Sequence, residues 1–150
     1  MKVLIIGNGG RESAIAKKLS EDKRISQMFF AKGNATTKNL GKNLPYESVA
    51  ELRDFALREK IDFTIVGPEL PLVNGIVDEF QKHNLKIFGP TKRAADLEGS
   101  KAFSKKFMQD YGIRTAKAAI FDSFVEADQY IQNHSYPLVI KASGLASGKG

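Results

Sequence analysis

The stretch Lys2-Val-Leu-Ile-Ile-Gly-Asn-Gly-Gly-Arg-Glu-Ser13 decides the fold of this chain. Its first part, Val3 to Ile6, is an unbroken apolar run, typical of a strand buried on both faces of a parallel sheet. Glycines at positions 7, 9 and 10 follow, and an apolar helical stripe begins at Ala14. A strand, a glycine turn and a helix in this order predict an anion-binding helix N-terminus at the carboxyl edge of a sheet.

The glycine turn matches only part of the fingerprint of a dinucleotide site, which is Gly-x-Gly-x-x-Gly. Gly7 and Gly9 fit, but Glu12 stands in the third glycine place. The fingerprint also needs an acidic residue at the end of the second strand, and that strand is followed by Lys32 and Gly33-Asn34. Two parts of the fingerprint are missing, so the turn either binds another ligand or is only a tight connection.

Further apolar runs alternate with helical patterns up to residue 90. Strands are predicted over 25–31, 61–66 and 86–88. Ser48 and Glu51 have the spacing of a capping box that opens a helix, and a strongly amphipathic helix runs from Leu72 to Phe80. The order β-α-β-α-β-α-β predicts an α/β fold with a Rossmann-like, doubly wound parallel sheet.

This alternation ends near residue 90, where we place a domain boundary. The predicted organisation is an N-terminal domain over 1–90, a linker over 91–100 and an incomplete second domain over 101–150. In the second domain Ser100 opens a helix, and Ser123 with Glu126 forms another capping box. Strands are predicted over residues 118–121 and 137–141.

Composition excludes several classes of site and partner. The 150 residues contain no cysteine, which excludes disulfides and thiolate metal sites. The apolar runs are too short to span a membrane, and the N-terminus enters a strand directly, so we expect a cytoplasmic protein without a signal peptide. The net charge of +6 suits phosphate-bearing partners, but the basic residues are spread along helices, so we expect no nucleic-acid partner.

The glycine-rich segment after residue 141 is the most informative chemically. Lys141 ends a predicted strand, and Gly144, Gly148 and Gly150 surround small residues and Lys149. Small residues let backbone N–H groups surround a polyphosphate that lysines neutralise, which favours phosphate binding over a flexible hairpin turn. The spacing is not that of a Walker A loop.

Three other candidates follow strands of the first domain. Glu69, in Gly67-Pro-Glu-Leu-Pro, can accept hydrogen bonds from a hydroxyl or an amine, or only complement a helix dipole. Gly33-Asn34 can face the same crevice or be a plain turn. Arg11 at a helix N-terminus is best explained by a bound anion.

Taken together, these segments resemble the glycinamide ribonucleotide synthetase family, also called phosphoribosylamine–glycine ligase. The matching segments occur in the family's order and with nearly the same residues, and they are spread over the whole length of the chain. They are Val3–Glu12, Gly33–Ala35, Asp62–Glu69 with Pro71-Leu72, Lys86–Thr91, Leu97–Phe103 and Lys141–Gly150.

The resemblance implies the N-terminal third of a longer enzyme, with a substrate-binding domain followed by the start of an ATP-grasp domain. It implies ATP-dependent joining of glycine to 5-phosphoribosylamine through a glycyl phosphate, in purine synthesis. It also implies a Mg²⁺ or Mn²⁺ ion whose ligands lie beyond residue 150, and we expect a monomer. The implied ATP-binding residues are Lys101, Lys141, Gly144, Ser147, Gly148, Lys149 and Gly150, and the implied substrate-binding residues are Gly9, Gly10, Arg11, Asn34 and Glu69.

At four positions the residue differs from the one that is usual in the family's motifs. Ser13 replaces His, Lys32 and Thr36 replace Pro and Gly, and Ser143 replaces Asp. Two alternatives stay open: another ATP-grasp carboxylate–amine ligase, or an NAD(P)-binding oxidoreductase built on the glycine turn. The chain by itself is expected to fold at least through residue 90 and to lack ligase activity.

Overall fold

The computed structural model describes residues 1–146 of the chain. It contains two compact units, unit 1 over Met1–Ala95 and unit 2 beginning at Asp96. The candidate residues Ser147, Gly148, Lys149 and Gly150 lie outside the described residues.

Unit 1 is built on a five-stranded, fully parallel sheet with the strand order β3-β2-β1-β4-β5. The predicted α/β fold with a parallel sheet is therefore confirmed. β1 lies in the centre, paired with β2 and β4. The strands are β1 Lys2–Gly7, β2 Gln27–Lys32, β3 Lys42–Leu44, β4 Phe63–Val66 and β5 Ile87–Phe88.

Helices accompany these strands, and others form unit 2. They are α1 Gly10–Leu19, a 3₁₀ helix Thr37–Asn39, α2 Val49–Glu59, α3 Glu69–Val73, α4 Ile76–Lys82, α5 Lys92–Gly99, α6 Lys101–Asp110 and α7 Phe124–Gln132.

Helices cover both faces of the sheet because β1 is apolar on both sides. Leu4 and Ile6 pack in one core cluster with residues of α2 and α4. Val3 and Ile5 pack in a second cluster with Ala16 of α1. Successive residues of a strand point to opposite faces, so an unbroken apolar run serves two cores at once.

The sequence prediction needs two corrections in unit 1. β3 was not predicted, because it is a three-residue edge strand whose first two residues are polar. The helix predicted over Leu72 to Phe80 is two helices, α3 and α4. Gly75 separates them with φ = +84°, a left-handed conformation that glycine adopts without steric cost.

The two predicted capping boxes have different outcomes. At the start of α2, the Glu51 N–H donates to Ser48 Oγ at 3.2 Å and the Ser48 N–H donates to Glu51 Oε2 at 3.0 Å, which confirms the first. The second is wrong: Ser123 precedes α7, but its side chain makes no capping hydrogen bond.

The strands predicted over residues 118–121 and 137–141 are also wrong. Neither segment pairs with another strand in the described part of the chain. Val139 and Ile140 are 79% and 78% exposed. An apolar run becomes a strand only when a neighbour supplies backbone hydrogen-bond partners, and no local pattern specifies that neighbour.

Two leucines of α2 provide a test of the core. Leu52 is buried and Leu57 is 45% exposed. We expect Leu52→Ala to lower the free energy of unfolding by about 2–5 kcal/mol, because a cavity is left in the core. Leu57→Ala should change it by no more than about 0.5 kcal/mol. Urea unfolding of the chain measures both, and equal effects would contradict this core assignment.

Candidate functional site

The candidate site of unit 1 lies at the carboxyl edge of the sheet. β2, β1 and β4 are neighbours, and the segments that follow them begin at Gly33, Asn8 and Gly67. Because parallel strands end at the same edge, these segments meet there, which is where open α/β sheets bind their ligands.

A buried carboxylate lies at the centre of this edge. Glu12, in the first turn of α1, is 3% exposed. Its Oε2 accepts a hydrogen bond from the Gly9 N–H at 2.7 Å. Its Oε1 lies 3.3 Å from Arg11 Nε. The sequence shows only that Glu12 stands in the place of a third glycine, so the burial of Glu12 is a finding of the structure.

Glycines make the space that the Glu12 carboxylate fills. A Cβ on Gly67 would overlap Glu12 Oε1, and a Cβ on Gly7 would lie 2.7 Å from Glu12 Cδ. A Cβ on Gly9 would lie 3.1 Å from Glu12 Oε2. Larger residues at these positions would displace the carboxylate.

Arg11 lies between two carboxylates. Its Nε donates to Glu12, and its Nη2 donates to Glu69 Oε1 at 3.4 Å. Hydrogen bonding to Glu69, and secondarily to Glu12, raises the pKa of Arg11 above its ordinary value. Both carboxylates are supplied within the chain, and more than half of the Arg11 side chain remains exposed.

Asn34 joins the β2 loop to the glycine turn. Its Nδ2 donates to the backbone oxygen of Asn8 at 2.9 Å and to Ser13 Oγ at 2.9 Å. Its Oδ1 accepts from the N–H groups of Thr36 and Thr37. These contacts hold the Asn34 side chain in one orientation. One of them is made by Ser13, a position where the residue differs from the one usual in the family.

Below Asn34 lies a polar network that the sequence did not reveal. The Thr37 side chain is fully buried, and its Oγ1 accepts from the Asn34 N–H at 2.7 Å. Asn43 Nδ2 donates to the Asn34 backbone oxygen at 2.9 Å. A Thr in a polar loop carries no local sign of burial, because one of its partners, Asn43, comes from β3, a strand that the sequence does not predict.

The structure thus brings together Arg11, Asn34 and Glu69 with the glycine turn. Gly9 precedes α1 and Gly10 is its first residue. All five predicted substrate-binding residues lie at this one edge of unit 1.

In unit 2, two of the predicted phosphate-binding residues are in contact. Lys101, the first residue of α6, donates from Nζ to the Gly144 backbone oxygen at 3.0 Å. Ser143 Oγ accepts from the Ala102 N–H at 3.1 Å, which satisfies a free N–H at the start of α6. Lys141 is exposed, and in the described residues it is not joined to this pair.

Comparison with known families assigns both parts of the chain. Residues 1–98 match the family described as phosphoribosylglycinamide synthetase, N domain. The chain belongs to the phosphoribosylglycinamide synthetase family. Residues 99–150 match the description phosphoribosylglycinamide synthetase, ATP-grasp (A) domain.

Curated relatives support the same family. The chain is 53% identical to the phosphoribosylamine–glycine ligase of Caldanaerobacter subterraneus subsp. tengcongensis and 54% identical to that of Fusobacterium nucleatum. Each match covers 100% of this chain and 36% of the relative. The chain thus spans about a third of the length of these synthetases.

Solved structures agree at the level of the fold. The phosphoribosylamine–glycine ligase of Thermotoga maritima matches with a TM-score of 0.75 and 37% identity, over 100% of this chain and 35% of that one. The biotin carboxylase domain of the Hydrogenobacter thermophilus 2-oxoglutarate carboxylase matches with a TM-score of 0.70 and 18% identity, over 91% of this chain and 33% of that one. The second likeness shows a shared fold alone.

Residues 1–146 contain no group of three or more His, Asp or Glu side chains placed to hold a metal ion. None of their helices combines the length and the apolar character that a membrane span requires.

Gly67 and Gly10 provide a matched test of the space around Glu12. We expect Gly67→Ala to lower the free energy of unfolding by about 1–3 kcal/mol, because its Cβ would overlap the carboxylate. Gly10→Ala should change it by about 0.5 kcal/mol or less, because no atom lies within 4 Å of that Cβ.

Denaturant unfolding of the single variants and of the Glu12→Ala, Gly67→Ala double variant measures this coupling. In the Glu12→Ala background the extra cost of Gly67→Ala should largely disappear. An undiminished cost there would show that Gly67 is required for another reason.

Proposed function

We propose that a protein carrying this chain joins glycine to 5-phosphoribosylamine, forming glycinamide ribonucleotide with conversion of ATP to ADP and phosphate. The observation that carries the proposal is the pair of consecutive family matches, residues 1–98 and 99–150, at about half identity to ligases of this name. The proposed setting is purine synthesis in the cytoplasm, by a monomer.

The proposed reaction balances in two steps. A glycine carboxylate oxygen attacks the γ-phosphorus of ATP, the bond to the bridging oxygen of ADP breaks, and glycyl phosphate forms. The amine of phosphoribosylamine then attacks the glycyl carbonyl carbon. Phosphate leaves with the electrons of the broken C–O bond, and the nitrogen loses a proton as the amide forms.

The proposed phosphoribosylamine site is the carboxyl edge of unit 1, with Gly9, Gly10, Arg11, Asn34 and Glu69. Arg11 uses two of its five N–H donors on carboxylates, so three remain for a phosphate or hydroxyl. Glu69 can accept a hydrogen bond from a sugar hydroxyl or from the amine. The Asn34 amide donates within the chain, so we propose that Asn34 holds the loop in place beside the substrate.

The proposed ATP site involves the second domain. The contact between Lys101 and Gly144 supports it, because it places an ammonium group beside a segment of small residues. The remaining proposed contacts are Lys141, Ser147, Gly148, Lys149 and Gly150. We propose domain limits of 1–90 and 101–150, with residues 91–100 as linker, and a Mg²⁺ or Mn²⁺ ion bound by residues outside this chain.

The alternatives have weaker support. Biotin carboxylases share the fold at 18% identity, which does not indicate their reaction. An NAD(P)-binding turn needs room for a pyrophosphate, and the Glu12 carboxylate occupies the turn here.

The activity is tested by an ADP-release assay on a protein of the relatives' length that carries this chain. We expect release to require both glycine and phosphoribosylamine. ADP release that continues without either one would contradict the proposal, as would release that depends on a different carboxylate.

Two matched pairs of variants test the proposed contacts in the same assay. Arg11→Ala should raise the KM for phosphoribosylamine about ten- to hundredfold, the value of a charge-assisted hydrogen bond. Arg58 lies in the last turn of α2, away from this edge, so Arg58→Ala should leave the KM for phosphoribosylamine unchanged. Lys101→Ala should raise the KM for ATP similarly, whereas Lys106→Ala, on the same helix and exposed, should not.

A further inference from the structure

A buried acidic side chain without a role in the proposed reaction is unusual enough to need an explanation. Glu12 is 3% exposed, and a buried carboxylate is costly unless hydrogen bonds and a positive charge compensate it. The Gly9 N–H and the Arg11 guanidinium supply that compensation. No buried side-chain nitrogen or oxygen in the described residues lacks a partner.

The surroundings of this carboxylate have the chemistry of a phosphate cradle. In glycine turns that bind nucleotides, free N–H groups at the helix N-terminus donate to a phosphate oxygen, and glycines let the anion come close. Here the Gly9 N–H donates to Glu12 Oε2. The glycines at 7, 9 and 67 surround the carboxylate instead of an external ligand.

The same carboxylate also fixes the direction of Arg11. Glu12 Oε1 contacts Nε, at the inner end of the guanidinium, and Glu69 contacts Nη2 at its outer end. Glu12 is buried while Glu69 is partly exposed, so Glu12 is the more rigidly held of the two carboxylates that contact Arg11. Without it, Arg11 would be held by Glu69 alone.

We propose that the Glu12 carboxylate is a built-in anion that fills the phosphate position of the glycine turn, so that it excludes dinucleotides there and positions Arg11. This goes beyond the proposed ligase reaction and does not depend on it. It follows from the contacts of residues 7 to 12, 67 and 69 within unit 1.

The test is rescue of a cavity by an added anion. Glu12→Ala removes the CH₂–COO⁻ group, and acetate has the same carboxylate and carbon count. We expect the thermal unfolding midpoint of the Glu12→Ala chain to rise with sodium acetate, and with inorganic phosphate, beyond the rise with sodium chloride of equal ionic strength. The apparent dissociation constant of either anion should be at least tenfold lower than for the wild-type chain.

Two control variants separate the cavity from other effects. Glu12→Gln fills the same space without charge, so neither anion should stabilise it more than the wild-type chain through the turn. Glu69→Ala removes the other partner of Arg11 without opening the turn, so acetate and phosphate should stabilise it far less than they stabilise Glu12→Ala. If either anion stabilises Glu12→Ala no more than chloride does, the proposal is overturned.

A second measurement applies if Glu12→Ala does not fold. In Glu12→Gln the side-chain oxygen can still accept from the Gly9 N–H, but the amide nitrogen cannot accept from Arg11 Nε. We expect the Arg11 Nε–H resonance to exchange with water at least tenfold faster in this variant. An unchanged exchange rate would show that Glu12 does not position Arg11.

Discussion

The pairing of β1 on both sides is the constraint on which the rest of unit 1 depends. Its backbone polar groups are buried with Val3 to Ile6, and buried backbone groups need hydrogen-bond partners. β2 supplies them along one edge and β4 along the other. This central position fixes where β1 ends, and the glycine turn therefore begins at a defined place between the ends of two other strands.

The glycine turn accommodates the Glu12 carboxylate through hydrogen bonding to its charge and through the space that glycines leave. Gly7 ends β1 and Gly67 follows β4, and both lie against the same carboxylate. Glu12 thus joins two strand ends that are distant in sequence, and Arg11 extends the connection to Glu69. A single acidic residue in place of a third glycine converts a strand-turn-helix unit that commonly binds dinucleotides into one that is internally neutralised.

The long, strongly patterned elements of unit 1 could be predicted from the sequence. β1, α1 and the capped helix α2 each have a local signal, and the apolar runs of β2 and β4 are equally clear. β3 could not be predicted, because Lys42 and Asn43 give no apolar pattern and the strand exists through its pairing with β2.

The candidate site was predictable in its location and only partly in its contacts. Residues that follow parallel strands had to meet at one edge, so Arg11, Asn34 and Glu69 could be grouped. The burial of Glu12 and Thr37 could not be foreseen, because their surroundings come from Gly67 and Asn43, in other parts of the chain. In unit 2 the same limit produced an error, since strand formation at 137–141 needs a partner that local sequence does not specify.

The exposed segment around Val139 and Ile140 has a consequence for handling this chain in isolation. Apolar, β-branched residues with free backbone groups are templates for pairing between chains, and hence for aggregation. Pro137 precedes this run and Lys141 follows it, an arrangement that limits such pairing by removing one N–H donor and adding a charge. Replacing Lys141 with an apolar residue is therefore expected to make concentrated solutions of this chain harder to keep monodisperse.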